Sequence, residues 1–425
     1  MYTFSRLFSW KRKSSLGQSS SQGSGSSKGK TAEKSDGKEM PAQEKDAQAA
    51  DGAASKEQID VLFLQDTTAS QGPYINSAKS AIRSICSKIS TASNMSPDDI
   101  RFGLIAFRDH PPQDRTYVTK NFGFSSEINV MEANLLGLKA MGGGDGPEAQ
   151  TAALAEGLGM EWREKAAKMV VLITDAPPHG IGEANDGFDA SPDRKWSCGE
   201  GLAVSLSVFF QKMILWMLHA EWLSKASHWQ YVVACEPTLS QYRHAVDFYK
   251  ALTQITSGKM FPLTMADKLG DYIAGTAIET IETERLINEY SKDVVDNVYE
   301  QSKPIQQVVE EVHAQMKARG KQMKSLAVEN VYTPSSKADS NVSIWKKSQS
   351  VLIARGEVEE IEEPRMMEEY GSSGYRPRGR ALAVPRGPTV ELKEVEVDYA
   401  RAERVVMQSV ARKSEVTARG MTKRK

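Results

Sequence analysis

Residues 61–70 read VLFLQDTTAS, and this stretch decides the fold prediction. The apolar run before Asp66 is typical of a strand that is buried on both faces of a parallel sheet. Ligands of open α/β sheets bind beyond the carboxyl ends of the strands, so we expect Asp66, Thr68 and Ser70 to line a site. One carboxylate with two hydroxyls suits a hard cation such as Mg²⁺. The same letters also fit an Asp cap before a helix, so the stretch alone leaves both interpretations open.

A second apolar run that ends in an acid occupies residues 169–175, MVVLITD. It predicts another buried strand, which would deliver Asp175 to the same edge of the sheet as Asp66. Between the two runs, residues 141–148 read MGGGDGPE, a glycine-rich turn into a helix. Two far-apart carboxylates and this turn therefore predict one cation site.

Together these motifs resemble the von Willebrand factor type A (vWA) domain, whose metal-ion-dependent adhesion site combines D-x-[ST]-x-S, a loop donor and a distant T-D. Asp66, Thr68, Ser70 and Asp175 match that pattern position by position, within a resemblance that spans residues 60–286. The resemblance implies a bound Mg²⁺, with Mn²⁺ or Ca²⁺ as alternatives. It also implies a protein partner whose acidic side chain could complete the metal shell.

The loop position departs from the family, which often has a threonine there. Asp145 is the candidate substitute, and a third carboxylate would reduce the need for an acidic ligand from a partner. Backbone amides at the start of the following helix could instead hold Asp145 as a cap. Both interpretations of Asp145 stay open from the sequence.

Alternating strand and helix patterns begin at residue 59 and favour an α/β fold: a doubly wound, mostly parallel, Rossmann-like sheet with helices on both faces. We expect a disordered N-terminal arm at residues 1–57, a vWA domain at 58–290 and a helical extension at 291–328. Residues 329–425 lack periodicity and predict a mostly disordered tail with one short helix near residues 397–411. An apolar stretch at residues 203–215 interrupts the family pattern as an insert or a gene-model artefact.

The amino-acid composition indicates which partners and which cellular compartment to expect. The 425 residues include 54 basic and 55 acidic ones, so bulk charge favours neither nucleic acid nor an anionic membrane. Three cysteines, Cys86, Cys198 and Cys235, are a sparse and odd set that favours a reducing, cytoplasmic location. The basic, aromatic first 13 residues leave a mitochondrial or membrane-peripheral location as alternatives.

Other polar residues follow the predicted strands. Asp109 and His110 could form a pair that orients the metal ligands, or a solvated turn stopped by prolines. The loop at residues 177–197 carries His179, Asp186 and Asp189, which we expect to be solvated surface groups. Cys235, inside a predicted strand, is expected to behave as a small apolar group.

Residues 103–110, 175–182 and 231–245 resemble a narrower group, the vWA domains associated with alpha-kinases. This makes a serine/threonine protein kinase, or a truncated relative that has lost the kinase domain, the rival function. After Cys235 the chain has no cysteine for the structural zinc of that kinase fold and no glycine-rich phosphate loop. We therefore expect an intracellular metal-dependent protein-binding domain and not an enzyme.

Overall fold

A computed structural model describes residues 57–184, 186–187, 228–348, 350–370 and 387–422. All of them fall in one compact unit, Ser55–Lys425. Residues 1–56 of the predicted N-terminal arm, the apolar stretch at residues 203–215, Cys198 and Asp189 lie outside the described residues.

Strands and helices alternate through the first part of this unit, as expected. The strands are β1 (Ile59–Asp66), β2 (Ile100–Phe107), β3 (Thr119–Ser125), β4 (Ala167–Thr174), β5 (His228–Cys235), β6 (Met260–Leu263), β7 (Gln322–Val328) and β8 (Val390–Glu396). The helices are α1 (Gly72–Ser93), α2 (Ile128–Leu136), α3 (Gln150–Leu158), α4 (Ala245–Ile255), α5 (Leu269–Val295), α6 (Ile305–Ala318), α7 (Ser336–Lys347), α8 (Val351–Glu357) and α9 (Tyr399–Thr422).

The main sheet has six strands within the described residues, in the order β3-β2-β1-β4-β5-β6. Only the edge pair β2 and β3 is antiparallel; the other neighbours are parallel. Every residue of β1 and of β4 is buried, which is the burial expected of central strands covered on both sides. The predicted α/β class and mostly parallel sheet are confirmed.

Helices cover both faces of this sheet. One face packs against α1, α2 and α5, and the spacing of α1 explains why: its inward residues recur every three or four positions and are all buried. These are Ile75, Ala78, Ile82, Ile85 and Ile89. The other face packs against α3 and α4, and α7 packs on α4. The sheet edge between the two helical layers stays available for the loops that carry the polar motifs.

The extension after α5 folds back onto the domain. Val308 and Val312 of α6 and Val405 and Val406 of α9 are buried in the same core cluster as α1 and α5. Strands β7 and β8 form an antiparallel ribbon, and Leu326 of β7 joins that cluster. This helical extension therefore completes one face of the domain.

The prediction of a mostly disordered tail from residue 329 is wrong for the described part of that range. Helices α7, α8 and α9 and strand β8 all lie there. Trp345 of α7 is 5% exposed and its ring meets that of Phe248 edge-on, with centroids 5.4 Å apart. Val342 and Trp345 anchor α7 in this way, and Ala402, Val405 and Val406 anchor α9 in the core cluster of α1 and α5.

None of the described helices combines the length and the apolar character that crossing a bilayer requires.

Candidate metal centre at the carboxyl edge of the sheet

Strand pairing brings the two motif acids together. β1 and β4 are parallel neighbours, with Gln65 opposite Ile173, so Asp66 and Asp175 leave the sheet at adjacent places on one edge. Both side chains are buried, with Asp66 fully so and Asp175 4% exposed. The far-apart acids of the sequence thus meet because their strands run side by side in the same direction.

Hydroxyl and amide donors hold the carboxylate of Asp66. Its Oδ1 accepts from the Thr68 backbone N–H at 2.9 Å and from the Thr68 hydroxyl at 2.7 Å. Its Oδ2 accepts from the Thr174 hydroxyl at 2.8 Å, across from β4. The Thr174 oxygen in turn accepts from Gln150 Nε2 at 3.2 Å, so α3 also supports the cluster. Asp66 is positioned by both strands and by its own loop.

Ser70 links the first motif to the second. Its hydroxyl donates to Oδ1 of Asp175 at 3.0 Å, across 105 positions of sequence. Ser70 itself is exposed, at the start of the turn that leads into α1. Asp66 with Thr68 and Asp175 with Ser70 therefore form two hydrogen-bonded pairs at one edge of the sheet, and Ser70 is the exposed member.

Glu148 is a further acid at this cluster that the sequence analysis missed. A Cβ placed on Gly143 would lie 2.8 Å from Glu148 Oε1 and 3.3 Å from the Cβ of Thr68, so the two side chains flank this glycine. Gly143 has φ +88°, a conformation that glycine adopts freely. The backbone N–H of Glu148 donates to the carbonyl of Pro177 at 3.0 Å, which ties it to the loop after β4. Glu148 is 4% exposed, and its Oε2 has no hydrogen-bond partner among the described residues.

Several buried acidic side chains lie close together at this edge, and this raises the pKa of two of them. Burial, followed by repulsion from Asp175, raises the pKa of Asp66 to about 7, although its three hydrogen bonds act in the opposite direction. Burial, followed by repulsion from Asp66 and then from Asp109, Asp145 and Asp175, raises the pKa of Glu148 to about 10. Such buried, mutually repelling carboxyl groups are costly unless they are protonated or meet a cation.

Asp145 makes its hydrogen bonds elsewhere. Its Oδ2 accepts from the backbone N–H of Gly187 at 2.6 Å and from Gln113 Nε2 at 3.2 Å. The capping amide comes from the loop after β4 and not from the helix start that the sequence suggested. One ligand atom of Asp145 lies within 4.8 Å of ligand atoms of Asp109 and His179. A role for Asp145 as a ligand beside Asp66 stays a prediction.

The expectation that His179 and Asp186 are solvated is wrong. His179 is 1% exposed and Asp186 is 8% exposed. The imidazole contacts Asp186 Oδ1 through Nδ1 at 2.8 Å and Asp109 Oδ1 through Nε2 at 2.7 Å. Although burial opposes it, these two carboxylates raise the pKa of His179 to about 9.

Asp109 and His110 are likewise buried and do not form a solvated turn. Asp109 is fully buried and His110 is 7% exposed. The loops that follow β2 and β4 therefore pack on one another at the edge that holds the motif acids.

Cys235 ends β5 as a fully buried free thiol. Burial raises its pKa well above the usual range, and Asp175 and Asp66 add to the shift. A thiol in this state is a poor nucleophile, which agrees with the apolar role expected from the sequence.

Comparison with known proteins agrees with the resemblance stated from the motifs. The chain is 32% identical over 126 residues to the alpha-protein kinase vwkA of Dictyostelium discoideum. The match covers 30% of this chain and 20% of the kinase, so the chain spans about a fifth of the length of that relative. No family model matches the chain.

Solved structures with a similar fold include two bacterial proteins. The pilus adhesin SpaC of Lactobacillus rhamnosus GG, in its open conformation, aligns at 13% identity with a TM-score of 0.37, over 54% of this chain and 30% of the adhesin. A von Willebrand factor type A protein from Catenulispora acidiphila aligns at 13% identity with a TM-score of 0.31, over 53% of this chain and 43% of that one. The sequence relative is an alpha-protein kinase, which agrees with the narrower resemblance stated from the motifs.

Proposed function

We propose that this domain binds one divalent cation, Mg²⁺ in the first instance, at Asp66, Thr68, Ser70 and Asp175, and uses it to bind a protein partner. The observation that carries the proposal is the hydrogen bond from Ser70 to Asp175, 3.0 Å long. It joins the two halves of the motif at one edge of the sheet. The oxygens of these four side chains are the ligand types that Mg²⁺ prefers.

The acids at the site support a cation as its occupant. Asp66, Glu148 and Asp175 are all buried, and repulsion among them raises the pKa of Glu148 and of Asp66. A dication would remove that repulsion and would supply the partner that Glu148 Oε2 lacks. Glu148 is therefore a further candidate ligand, either directly or through a bound water.

A protein partner fits the position of the site better than a reaction does. The exposed side chain of Ser70 marks the side from which an acidic group of a partner, or water, could reach the cation. The thiol of Cys235, which interacts electrostatically with Asp175 and Asp66, is buried and has a raised pKa. The cation would act as a bridge between two oxygen-bearing surfaces, in the cytoplasm.

Phosphoryl transfer is the second candidate, because the relative named above is an alpha-protein kinase. That relative is matched over a fifth of its length, so its activity passes to this chain only as a proposal. Incubation of purified chain with labelled ATP and generic protein substrates tests it. Phosphate incorporation above that of an Asp175→Asn variant would favour the kinase over the binding domain.

Metal binding is tested with Asp175→Asn and Ser70→Ala, which leave the three donors to Asp66 in place. Exposed Asp267, before α5, provides the control Asp267→Asn. After removal of metal with EDTA, Mg²⁺ at 100 times its dissociation constant should stabilise wild type and the control by about 2.7 kcal/mol. Asp175→Asn should lose most of this gain in a thermal or urea unfolding measurement. Equal stabilisation of all variants would contradict the site.

Partner binding needs a separate measurement. Protein captured from lysate by wild type in Mg²⁺ and released by EDTA should not be captured by Asp175→Asn. Asp267→Asn should capture it as wild type does. If the partner is still captured in EDTA and by Asp175→Asn, the metal does not bridge the two proteins. The proposal that the domain binds a metal would be unaffected by that result.

A further inference from the structure

A second cluster of metal-ligand side chains lies beside the first. Asp109 follows β2, Asp145 lies in the glycine-rich loop before α3, and His179 lies in the loop after β4. One ligand atom from each of the three lies within 4.8 Å of those from the other two. Three separate loops thus bring two carboxylates and an imidazole to one place.

Two buried oxygens of this cluster have no hydrogen-bond partner among the residues that the structure describes. Asp109 is fully buried, and its Oδ1 accepts from the backbone N–H of His110 at 2.5 Å and contacts His179, whereas its Oδ2 has no partner within the described part of the chain. The same holds, for the described residues, of Oδ1 of Asp145. A buried carboxylate oxygen without a donor is costly, so both atoms are suited to bind a cation.

The third member of the cluster is already oriented by a carboxylate. Asp186 Oδ1 lies 2.8 Å from Nδ1 of His179, and Asp186 Oδ2 accepts from the backbone N–H of Gly180 at 2.6 Å. This fixes the imidazole with Nε2 toward Asp109, 2.7 Å away. Histidines that bind metals are commonly oriented in this way, with one ring nitrogen on a carboxylate and the other on the metal.

We propose that Asp109, Asp145 and His179 form a second cation site, separate from the one at Asp66 and Asp175, and that it takes a transition-metal dication such as Zn²⁺. The choice follows from the donors, because imidazole suits zinc and its neighbours in the periodic table, whereas Mg²⁺ prefers oxygen ligands. On binding, Nε2 of His179 would give its proton to solvent and keep Asp186 on Nδ1.

The two sites share a neighbour. Glu148 interacts electrostatically with Asp66 and Asp175 of the first site and with Asp109 and Asp145 of the second. Filling either site would lower the repulsion felt at Glu148. The second site does not depend on the first, because its three ligands are all different residues.

The competing explanation is that His179 is a permanent imidazolium that pairs with Asp109 and Asp186 and needs no metal. The two explanations differ in one measurable way. A metal site predicts a stoichiometric, selective affinity for Zn²⁺ that depends on Asp145 as well as on His179. An ion pair of His179 with its two aspartates gives Asp145 no part in Zn²⁺ binding.

The experiment titrates Zn²⁺ into the full chain, stripped with EDTA and then kept in saturating Mg²⁺, against a chromophoric chelator. The variants are Asp145→Asn and His179→Gln, and the control is His313→Gln on α6, where the ring packs against Tyr399. Circular dichroism checks that each variant folds. If His179→Gln does not fold, Asp145→Asn alone decides the test. Wild type and the control should bind one Zn²⁺ per chain, and the variants should lose about tenfold or more in affinity.

Two further measurements distinguish Zn²⁺ bound at this site from Zn²⁺ bound elsewhere on the chain. Co²⁺ in place of Zn²⁺ should give visible bands without a thiolate-to-cobalt charge-transfer band, because no cysteine belongs to the cluster. Asp175→Asn should keep Zn²⁺ binding while losing the stabilisation by Mg²⁺, so failure of one site does not hide the other. Unchanged Zn²⁺ affinity in folded Asp145→Asn, or a thiolate band with Co²⁺, would overturn the proposal.

Discussion

Replacing Glu148 by glutamine should stabilise the metal-free protein, and by more at higher pH. Glu148 is buried among other acids, and glutamine has the size and neutrality of its protonated form. The folded protein without metal keeps the Glu148 proton up to a pKa of about 10, whereas the unfolded chain releases it near 4.5. Folding therefore takes up a proton between these values, and stability falls as the pH rises.

The size of the effect follows from the same two values. One pKa unit corresponds to about 1.4 kcal/mol, so wild type loses about 3 kcal/mol through Glu148 at pH 7 but under about 1 kcal/mol at pH 5. Glu148→Gln has no proton to take up and avoids this loss. Its stability advantage over wild type should thus grow by about 1.4 kcal/mol for each pH unit.

Saturating Mg²⁺ should cancel or reverse this advantage. A dication beside Glu148 stabilises the ionised carboxylate, so wild type no longer needs the proton. If the carboxylate also contributes to holding the cation, the variant loses part of the stabilisation that Mg²⁺ supplies. The same substitution therefore has opposite consequences with and without metal.

Urea unfolding at pH 5, 6, 7 and 8, in EDTA and in Mg²⁺, measures the free energy of unfolding directly. The control is Glu310→Gln on α6, an exposed glutamate, which should follow wild type at every pH. Comparing variants at each pH removes the contributions of His110 and His179, which titrate in all of them. A constant difference between Glu148→Gln and wild type from pH 5 to pH 8 in EDTA would refute the electrostatic account of this edge.

Two packing predictions concern the described parts of the chain beyond this edge. Trp345→Ala should lower the free energy of unfolding by about 3–5 kcal/mol, because the indole is buried against Phe248. Urea unfolding measures this loss. A loss below about 1 kcal/mol would mean that α7 does not belong to the core. Gly258→Ala should prevent folding or lower the melting temperature strongly, since its Cβ would lie 1.6 Å from the carbonyl oxygen of Gln230. Gly180→Ala, with φ +88° but open space around it, should cost only about 1–2 kcal/mol, and similar melting temperatures for both variants would contradict this difference.

The central strands could be predicted from local sequence. β1 and β4 are continuous apolar runs, and such runs have few alternatives to the middle of a parallel sheet. Each ends at an acid or immediately before one, so the meeting of Asp66 and Asp175 followed once the strands were taken as neighbours. The spacing of α1 was equally informative, because a helix face is read from positions only three and four apart.

Glu148 and His179 could not be placed in the same way. Both lie in loops rich in glycine and proline, where composition indicates a turn but not its path. The position of Glu148 depends on contact of its backbone with Pro177, and that of His179 on contact with Asp109, 70 positions earlier. The solvated loop predicted from composition was wrong because two loops pack on each other.

The chain beyond residue 329 was predicted to be mostly disordered, but its described part forms helices and a strand. Its apolar residues are too few to form a core of their own, which is why composition predicted disorder. Val342 and Trp345 are buried because α4 offers an apolar surface on which α7 packs. Burial against a preformed partner compensates for ordering entropy that the segment alone could not.

The amino-acid sequence by itself determined the α/β class, the two central strands and the four oxygen-bearing side chains at their ends. These depend on neighbouring residues and on the direction of parallel strands. Only the tertiary structure decided that Glu148 joins those four side chains, that Asp109, Asp145 and His179 gather beside them, and that α7 packs on α4. These contacts join loops and helices far apart in the chain, so their energies exist only after the chain has folded.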